Sequence, residues 1–202
     1  MRGRFITLEG IDGAGKSSHV DWLAGRLRDR GHDVVVTREP GGTPLGERLR
    51  ELILREPMDL RTETLLVFAA RQEHVTRVIR PCLEAGKWVL SDRFTDATFA
   101  YQGAGRQLGA APVAALEHWV QEGLQPDVTF YFDVPAEVGQ ARRRAASASL
   151  DRFEAETEAF HVRVRDGYLA RAAGDPRRFR VVDGTRPLDE VRVQLEEFLK
   201  NI

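Results

Sequence analysis

The stretch FITLEGIDGAGKSS, Phe5–Ser18, decides how the rest of the chain is read. Phe5, Ile6, Thr7 and Leu8 form a short apolar, β-branched run, which predicts a buried strand. Gly10 to Ser17 satisfies G-x-x-x-x-G-K-[ST] at every fixed position, and His19 to Arg30 has the spacing of a helix. Strand, glycine-rich turn and helix in that order are the context that makes this pattern a phosphate site. Gly10, Gly13 and Gly15 let the loop from Gly10 through Ile11, Asp12 and Ala14 to Ser18 curl, so that its N–H groups face phosphate oxygens. The N-terminal end of the next helix adds positive potential. In such a loop Lys16 reaches the β- and γ-phosphates, and the Ser17 hydroxyl faces Mg²⁺.

Composition narrows the setting for that site. The 202 residues suit one domain, 1–202, with a full core. Hydrophobic residues at 42% and charged residues at 30% fit a globular chain, and a formal net charge of -1 gives no basic field to recruit nucleic acid. The arginines are therefore expected to serve a small anion locally. Cys82 is the single cysteine, so no internal disulfide forms. No apolar run approaches membrane-spanning length, and the N-terminus enters the first strand directly with no signal peptide, which predicts a cytoplasmic protein.

Outward from the loop, the apolar pattern predicts strands at Val34–Thr37, Lys87–Ser91, Val128–Val134 and Phe179–Val182 besides the first. Helices are expected at Lys16–Arg30, Leu45–Leu54, Thr62 to about Glu84 (bent or restarted at Pro81), Ala111–Gln121, Ala136–Ala146, Phe153–Ala173 and Leu188–Leu199. Phe94 to Gln107 reads as mixed helix and loop. Five strands alternating with helices predict an α/β fold, a five-stranded parallel sheet with helices on both faces. Ligands in such sheets lie beyond the carboxyl ends of the strands, where the loop, Arg38–Gly42, Asp92–Arg93 and Asp183–Arg186 all fall.

Arg38 and Arg93 each follow a strand at that mouth. Each is either a surface salt-bridge partner or part of a phosphate clamp, for which the planar guanidinium fork is suited. Arg142, Arg143, Arg144 and Arg152 flank a small-residue stretch, Ala145–Ser149; this is either a solvated helix face or a lid at about 142–152 that brings charge to a transferring phosphoryl group. Phe68 and Arg71 are three apart and share a helix face, as do Thr98, Tyr101 and Gln102. The five histidines show no metal-binding spacing.

Together GIDGAGKSS, TREPGGTPLGERLR, LLVFAAR, SDRFTDATFAYQGAGR, PDVTFYFDV and LDRFE resemble the bacterial type of thymidylate kinase, in that family's order, from residue 6 to 154. The resemblance implies a nucleoside monophosphate kinase fold and transfer of the γ-phosphoryl group of ATP to dTMP with Mg²⁺, giving dTDP for the dTTP pathway. It implies that Lys16 and the loop hold ATP phosphates with Ser17 on Mg²⁺, and that Asp92 organises Mg²⁺ or water. Arg38 and Arg93 would clamp the dTMP phosphate, and Asp12 would lie near its sugar. Arg71, Thr98 and Gln102 would read thymine, Tyr101 would crowd the 2′ position, and Arg50 would border the nucleotide pocket. The loop Asp183–Pro187 would border adenine, and Arg142 would stand on the ATP side. Family members are homodimers.

Two positions depart from the family pattern. The stacking phenylalanine often lies four residues before the helix arginine; here Val67 holds that place, and Phe68, three before, is the expected stacking ring. Gly13 stands where eukaryotic relatives carry an arginine, so the lid must supply that charge, and Arg144 is the favoured donor. The rival readings are another nucleoside monophosphate kinase and a non-catalytic nucleotide-binding module.

Overall fold

The computed structural model describes residues 2–146, 151–154, 156–200 and 202. Five strands, β1 (Phe5–Glu9), β2 (Val34–Arg38), β3 (Trp88–Asp92), β4 (Val128–Asp133) and β5 (Phe179–Asp183), form one sheet in the order β2-β3-β1-β4-β5. Every pairing is parallel. The register sets Leu8 and Arg38 on either side of Asp92, so Glu9, Arg38 and Asp92 end at one rim. β1 is buried on both faces, as its continuous apolar run requires in a central parallel strand. The Thr7 side chain meets Thr129 of β4 across a 2.8 Å hydroxyl hydrogen bond, so no buried hydroxyl is left unpaired there.

Nine α-helices are described: α1 (Ser17–Asp29), α2 (Pro44–Arg55), α3 (Leu60–His74), α4 (Arg80–Glu84), α5 (Thr95–Thr98), α6 (Ala110–Gln121), α7 (Ala136–Ala146), α8 (Glu158–Gly174) and α9 (Leu188–Leu199). Their starts follow from capping chemistry. Thr43 accepts the Gly46 N–H with Pro44 in the first turn of α2, and Asp59 accepts the Arg61 N–H ahead of α3. The expected helix from Thr62 to Glu84 is continuous but not uniform: α3 passes through a π-helical turn, Val75–Ile79, into α4. The wide turn lies directly before Pro81, which has no N–H to give and would crowd the carbonyl one turn back in a regular helix.

One expectation is corrected. The helix predicted from Phe153 begins at Glu158, because the Thr157 hydroxyl caps it at the Phe160 N–H, while Asp151 Oδ1 accepts the N–H groups of Phe153 and Glu154 and folds 151–154 into a turn. In the mixed stretch Phe94 to Gln107, α5 runs into a second π-helical segment, Phe99–Gly105, with Phe94, Arg106 and Gln107 outside the helix. The small-residue stretch of the expected lid lies mostly outside the described residues, since 147–150 do.

The segment Phe99–Gly105 packs against α8, and small residues make that possible. A Cβ on Gly167 would lie 2.9 Å from the Ala104 Cβ, and one on Gly105 would lie 2.6 Å from Val164. No described helix is long and apolar enough to cross a membrane.

Candidate active site

At the carboxyl rim of β1, β2 and β3 two cavities open side by side. The larger, about 570 Å³, is the phosphate mouth: Gly13, Gly15, Lys16, Ser17 and Ser18 form its floor, with Arg38, Asp92, Arg142 and Arg143 around it. The smaller, about 90 Å³, lies between α2, α3 and the segment Thr95–Gln102. Asp12, Glu39, Arg50 and Arg93 line both, so the two spaces meet at these four side chains.

The loop is already wound tightly. A Cβ on Gly13 would come within 2.1 Å of the Gly139 carbonyl of α7, so only glycine lets the loop touch that helix. Ile11 and Ala14 are buried; with Gly10 they serve through the backbone rather than as lining side chains. Lys16 Nζ donates to the carbonyls of Gly10 (2.9 Å) and Ile11 (3.0 Å). Burial, and next to it the charge of Arg93, lowers the lysine to about 8. An anion in the loop would replace those carbonyls and restore the cation.

Arg93 is the hub. Its Nη1 donates to the Gly10 carbonyl (2.8 Å) and Tyr168 Oη (3.0 Å), and its Nη2 to Asp12 Oδ1 (2.6 Å) and Tyr101 Oη (3.1 Å). Tyr101 in turn donates to Asp12 Oδ2 at 2.7 Å. Loss of hydration would raise the Asp12 carboxyl, but Arg93 and Lys16 outweigh it and hold Asp12 well below the usual carboxylate range. Arg38 is tied to Glu47 at 2.8 Å, and Glu47 also accepts the Gly42 N–H. Arg50 donates to the Pro40 carbonyl at 2.9 Å.

Asp92 Oδ1 is buried with no hydrogen-bond partner, in the same cavity as Ser17. A carboxylate oxygen and a hydroxyl, both hard donors, suit Mg²⁺ that takes its remaining ligands from phosphate and water. Among the described residues no trio of His, Cys, Asp and Glu gathers to hold a metal by itself.

The smaller cavity is built of buried, paired groups. Arg71 donates from Nε to Glu39 Oε2 (2.8 Å) and from Nη2 to Thr98 Oγ1 (2.9 Å) and the Phe94 carbonyl (3.2 Å). Its Nη1 is buried and without a partner on the cavity wall. Glu39 also takes His74 Nδ1 at 2.9 Å, and His74 Nε2 meets Thr37 Oγ1. Gln102, also on the wall, donates to Glu63.

The structure places two expected site residues away from the cavities expected of them. Phe68 does not line the cavity. It packs with Phe99, Val113 and Val120, its ring centre 4.7 Å from the Arg71 guanidinium, and Val67 takes the place on the wall. Adjacent helical residues lie about 100° apart, so a shift of one position turns the ring out of the site. For the same reason Arg144 faces outward to Gln140 and a separate crevice, whereas Arg143 lines the phosphate mouth, 3.8 Å from Asp12 and paired with Glu154. Arg142 lines the mouth too and donates to the Gly184 carbonyl at 2.7 Å, next to the Asp183–Pro187 loop. Glu39, Asp151 and Phe153 were not among the expected site residues; all three stand inside the sequence blocks quoted above, and only the fold shows that they face the cavities.

The family profile described as thymidylate kinase matches residues 8–195. The chain belongs to the thymidylate kinase family. A thymidylate kinase of Cupriavidus metallidurans is 61% identical to it over the full length of both chains, and one of Bordetella pertussis is 60% identical over all of this chain and 96% of its own. The crystal structure of a thymidylate kinase from Ehrlichia chaffeensis superimposes with a TM-score of 0.81 at 34% identity, covering 99% of each chain. The paired cavities are thus set in a fold shared along its whole length with thymidylate kinases.

Proposed function

We propose that this chain is a thymidylate kinase: it moves the γ-phosphoryl group of ATP to dTMP and releases dTDP. The observation that carries the reading is the shared wall. A phosphate-loop mouth and a compact, polar-edged cavity meet at Asp12 and Arg93, as donor and acceptor phosphates must. ATP phosphates would lie on the loop amides and Lys16, with adenine toward Arg142 and the loop after β5. Thymine would enter the smaller cavity, where Arg71 Nη1 and Gln102 have polar atoms to offer, and Tyr101 held on Asp12 would stand against the sugar and disfavour a 2′-hydroxyl.

The acceptor phosphate has its second pKa near 6, about one unit below neutral pH, so it is its own nucleophile and needs no general base. The obstacle is bringing two anions together. The phosphate mouth carries six basic against four acidic side chains, a local positive excess in a chain of net charge -1. Lys16, Arg38, Arg93 and Arg143 would offset the repulsion and hold the reacting oxygens in line. Mg²⁺, when bound, neutralises phosphate charge, with Ser17 and Asp92 as its protein ligands. The segment around 142–152 serves as a lid that excludes water, and Arg143 is the charge it delivers.

The enzyme works in the cytoplasm, where its nucleotides are, and as a homodimer. Apolar side chains left exposed on α3 and α6, Leu65 and Trp119, support pairing through these helices. A coupled assay with ATP and a panel of monophosphates tests the reading: turnover with dTMP should exceed that with AMP, GMP or CMP by about 10² or more. Preference for another monophosphate would make it a different kinase of this class, and no transfer at all a binding module. Sedimentation tests the dimer.

A further inference from the structure

Glu9 closes β1, one residue before the phosphate loop, and is fully buried. The mechanism above gives it no task, yet a buried carboxylate must be held by something. Its Oε1 accepts the Phe94 N–H at 2.7 Å, and its Oε2 accepts the hydroxyl of Tyr168 at 2.8 Å. Tyr168, on α8, is itself fully buried, and its oxygen accepts Arg93 Nη1 at 3.0 Å. With Glu9 ionised, the proton order runs Arg93 to Tyr168 to Glu9.

The same carboxylate grips the backbone beside Arg93. Arg93 has φ +71, a left-handed conformation that costs free energy in a residue with a side chain. It persists because the turn is pinned at three points. The Arg93 N–H donates to the Leu8 carbonyl, the Ser91 hydroxyl donates to the Arg93 carbonyl, and the next N–H, of Phe94, goes to Glu9.

We infer that Glu9 and Tyr168 are positioning residues: they hold the Arg93 guanidinium at the junction of the two cavities, Glu9 through backbone and side chain together. The inference rests on the assignment of Arg93 to the acceptor phosphate. Burial, and then the charge of Asp96 on α5, pushes Glu9 up to about 8, against the pull of Arg93 and the Tyr168 hydroxyl; Lys16 of the loop is the other charge it faces. The ionised form that holds Arg93 through Tyr168 is thus the form the fold disfavours, and it takes over from the acid as pH rises through about 8. An acid raised from 4.5 to about 8 binds more protons folded than unfolded between those values, so its contribution to stability falls as pH rises across that window.

The test uses the full-length enzyme and four variants: E9Q, Y168F, the double variant and R93A. In E9Q the amide still accepts from Phe94 but gives Tyr168 a donor where it needs an acceptor. Assayed at pH 8.5, where Glu9 is largely ionised, E9Q and Y168F should each raise the KM for dTMP about tenfold, the scale of one hydrogen bond to a charged group, and leave the KM for ATP within about twofold. The double variant should be no worse than the weaker single, since both act through Arg93. Urea unfolding of E9Q should gain on wild type between pH 6 and pH 8.5, a less active but relatively more stable protein. R93A is the reference. If it leaves the KM for dTMP unchanged, the assignment of Arg93 fails. If R93A raises it while E9Q and Y168F do not, or if their effects simply add, the positioning role is wrong. Should E9Q not fold, Y168F alone decides on the same criteria.

Discussion

The two cavities that meet at Arg93 are built on opposite plans. In the smaller one the ion pairs are sealed: Arg71 and Glu39 expose 1% and 3% of their side chains. In the phosphate mouth the pairing is graded: Arg38 and Glu47 expose 56% and 40%, Arg143 and Glu154 19% and 14%. A sealed pair is already desolvated, so it cannot adjust, and a ligand that fails to match the remaining donor, Arg71 Nη1, leaves it unpaired at a cost of about 1–3 kcal/mol. That is a device for discrimination. A half-exposed pair such as Arg38 with Glu47 is worth little by itself. It can exchange its carboxylate for phosphate as nucleotides arrive, which suits a place where charge must be gathered and then released.

The difference breaks most plainly at Lys16. Lys16→Ala should lower kcat by about three orders of magnitude or more while circular dichroism and melting stay near wild type, because the lysine is asked to stabilise charge that develops only in transfer. A turnover near normal would remove the phosphate mouth from the chemistry. Arg71→Ala attacks the other plan. It should raise the KM for dTMP about 100-fold against a change of about threefold for ATP, and it should also unfold more easily. Removing one partner of a sealed pair costs about 3–5 kcal/mol, since Glu39 is left with His74 alone. Steady-state kinetics and urea titration read the two effects separately. Equal effects on both nucleotides would place Arg71 outside the base pocket.

A smaller effect distinguishes two neighbours on α7. Arg143→Ala should cost about tenfold to 100-fold in kcat, by loss of one cation from the transferring phosphoryl group. Arg144→Ala should stay within about twofold, since among the described residues its side chain bonds Gln140 and does not line the phosphate mouth. Reversal of that order would return the role to Arg144. This pair also marks where the sequence stops being readable. The phosphate loop, the five strands and the strand-end positions of Arg38, Asp92 and Arg93 are local patterns, carried by apolar periodicity and glycine spacing. Which of Arg143 and Arg144, or of Val67 and Phe68, faces inward depends on helix phase to within one residue. That phase is set by packing against distant elements. The Thr157 cap that starts α8 late is outweighed in the pattern by the apolar Phe153 ahead of it. Pairs such as Glu9 with Tyr168, 159 residues apart, leave no local trace at all.

The gentlest test separates the two plans by proton rather than by mutation. Lys16 sits at about 8 in the free enzyme, lowered first by burial and then by Arg93. Below that value it is the cation that the proposed ATP site calls for; above it the lysine of the free enzyme is increasingly neutral. kcat/KM for ATP reports free-enzyme groups, so it should fall by about a factor of two from pH 7 to pH 8, about fivefold from pH 8 to pH 9, and toward tenfold per unit beyond. kcat at saturating ATP should not share this fall, because bound phosphates raise the lysine again. Lys16→Arg, weaker throughout, should show no such inflection, since a guanidinium stays charged. An inflection retained in that variant would assign the proton to another group, and one present in kcat as well would mean that the phosphates never displace the carbonyls of Gly10 and Ile11 from the lysine.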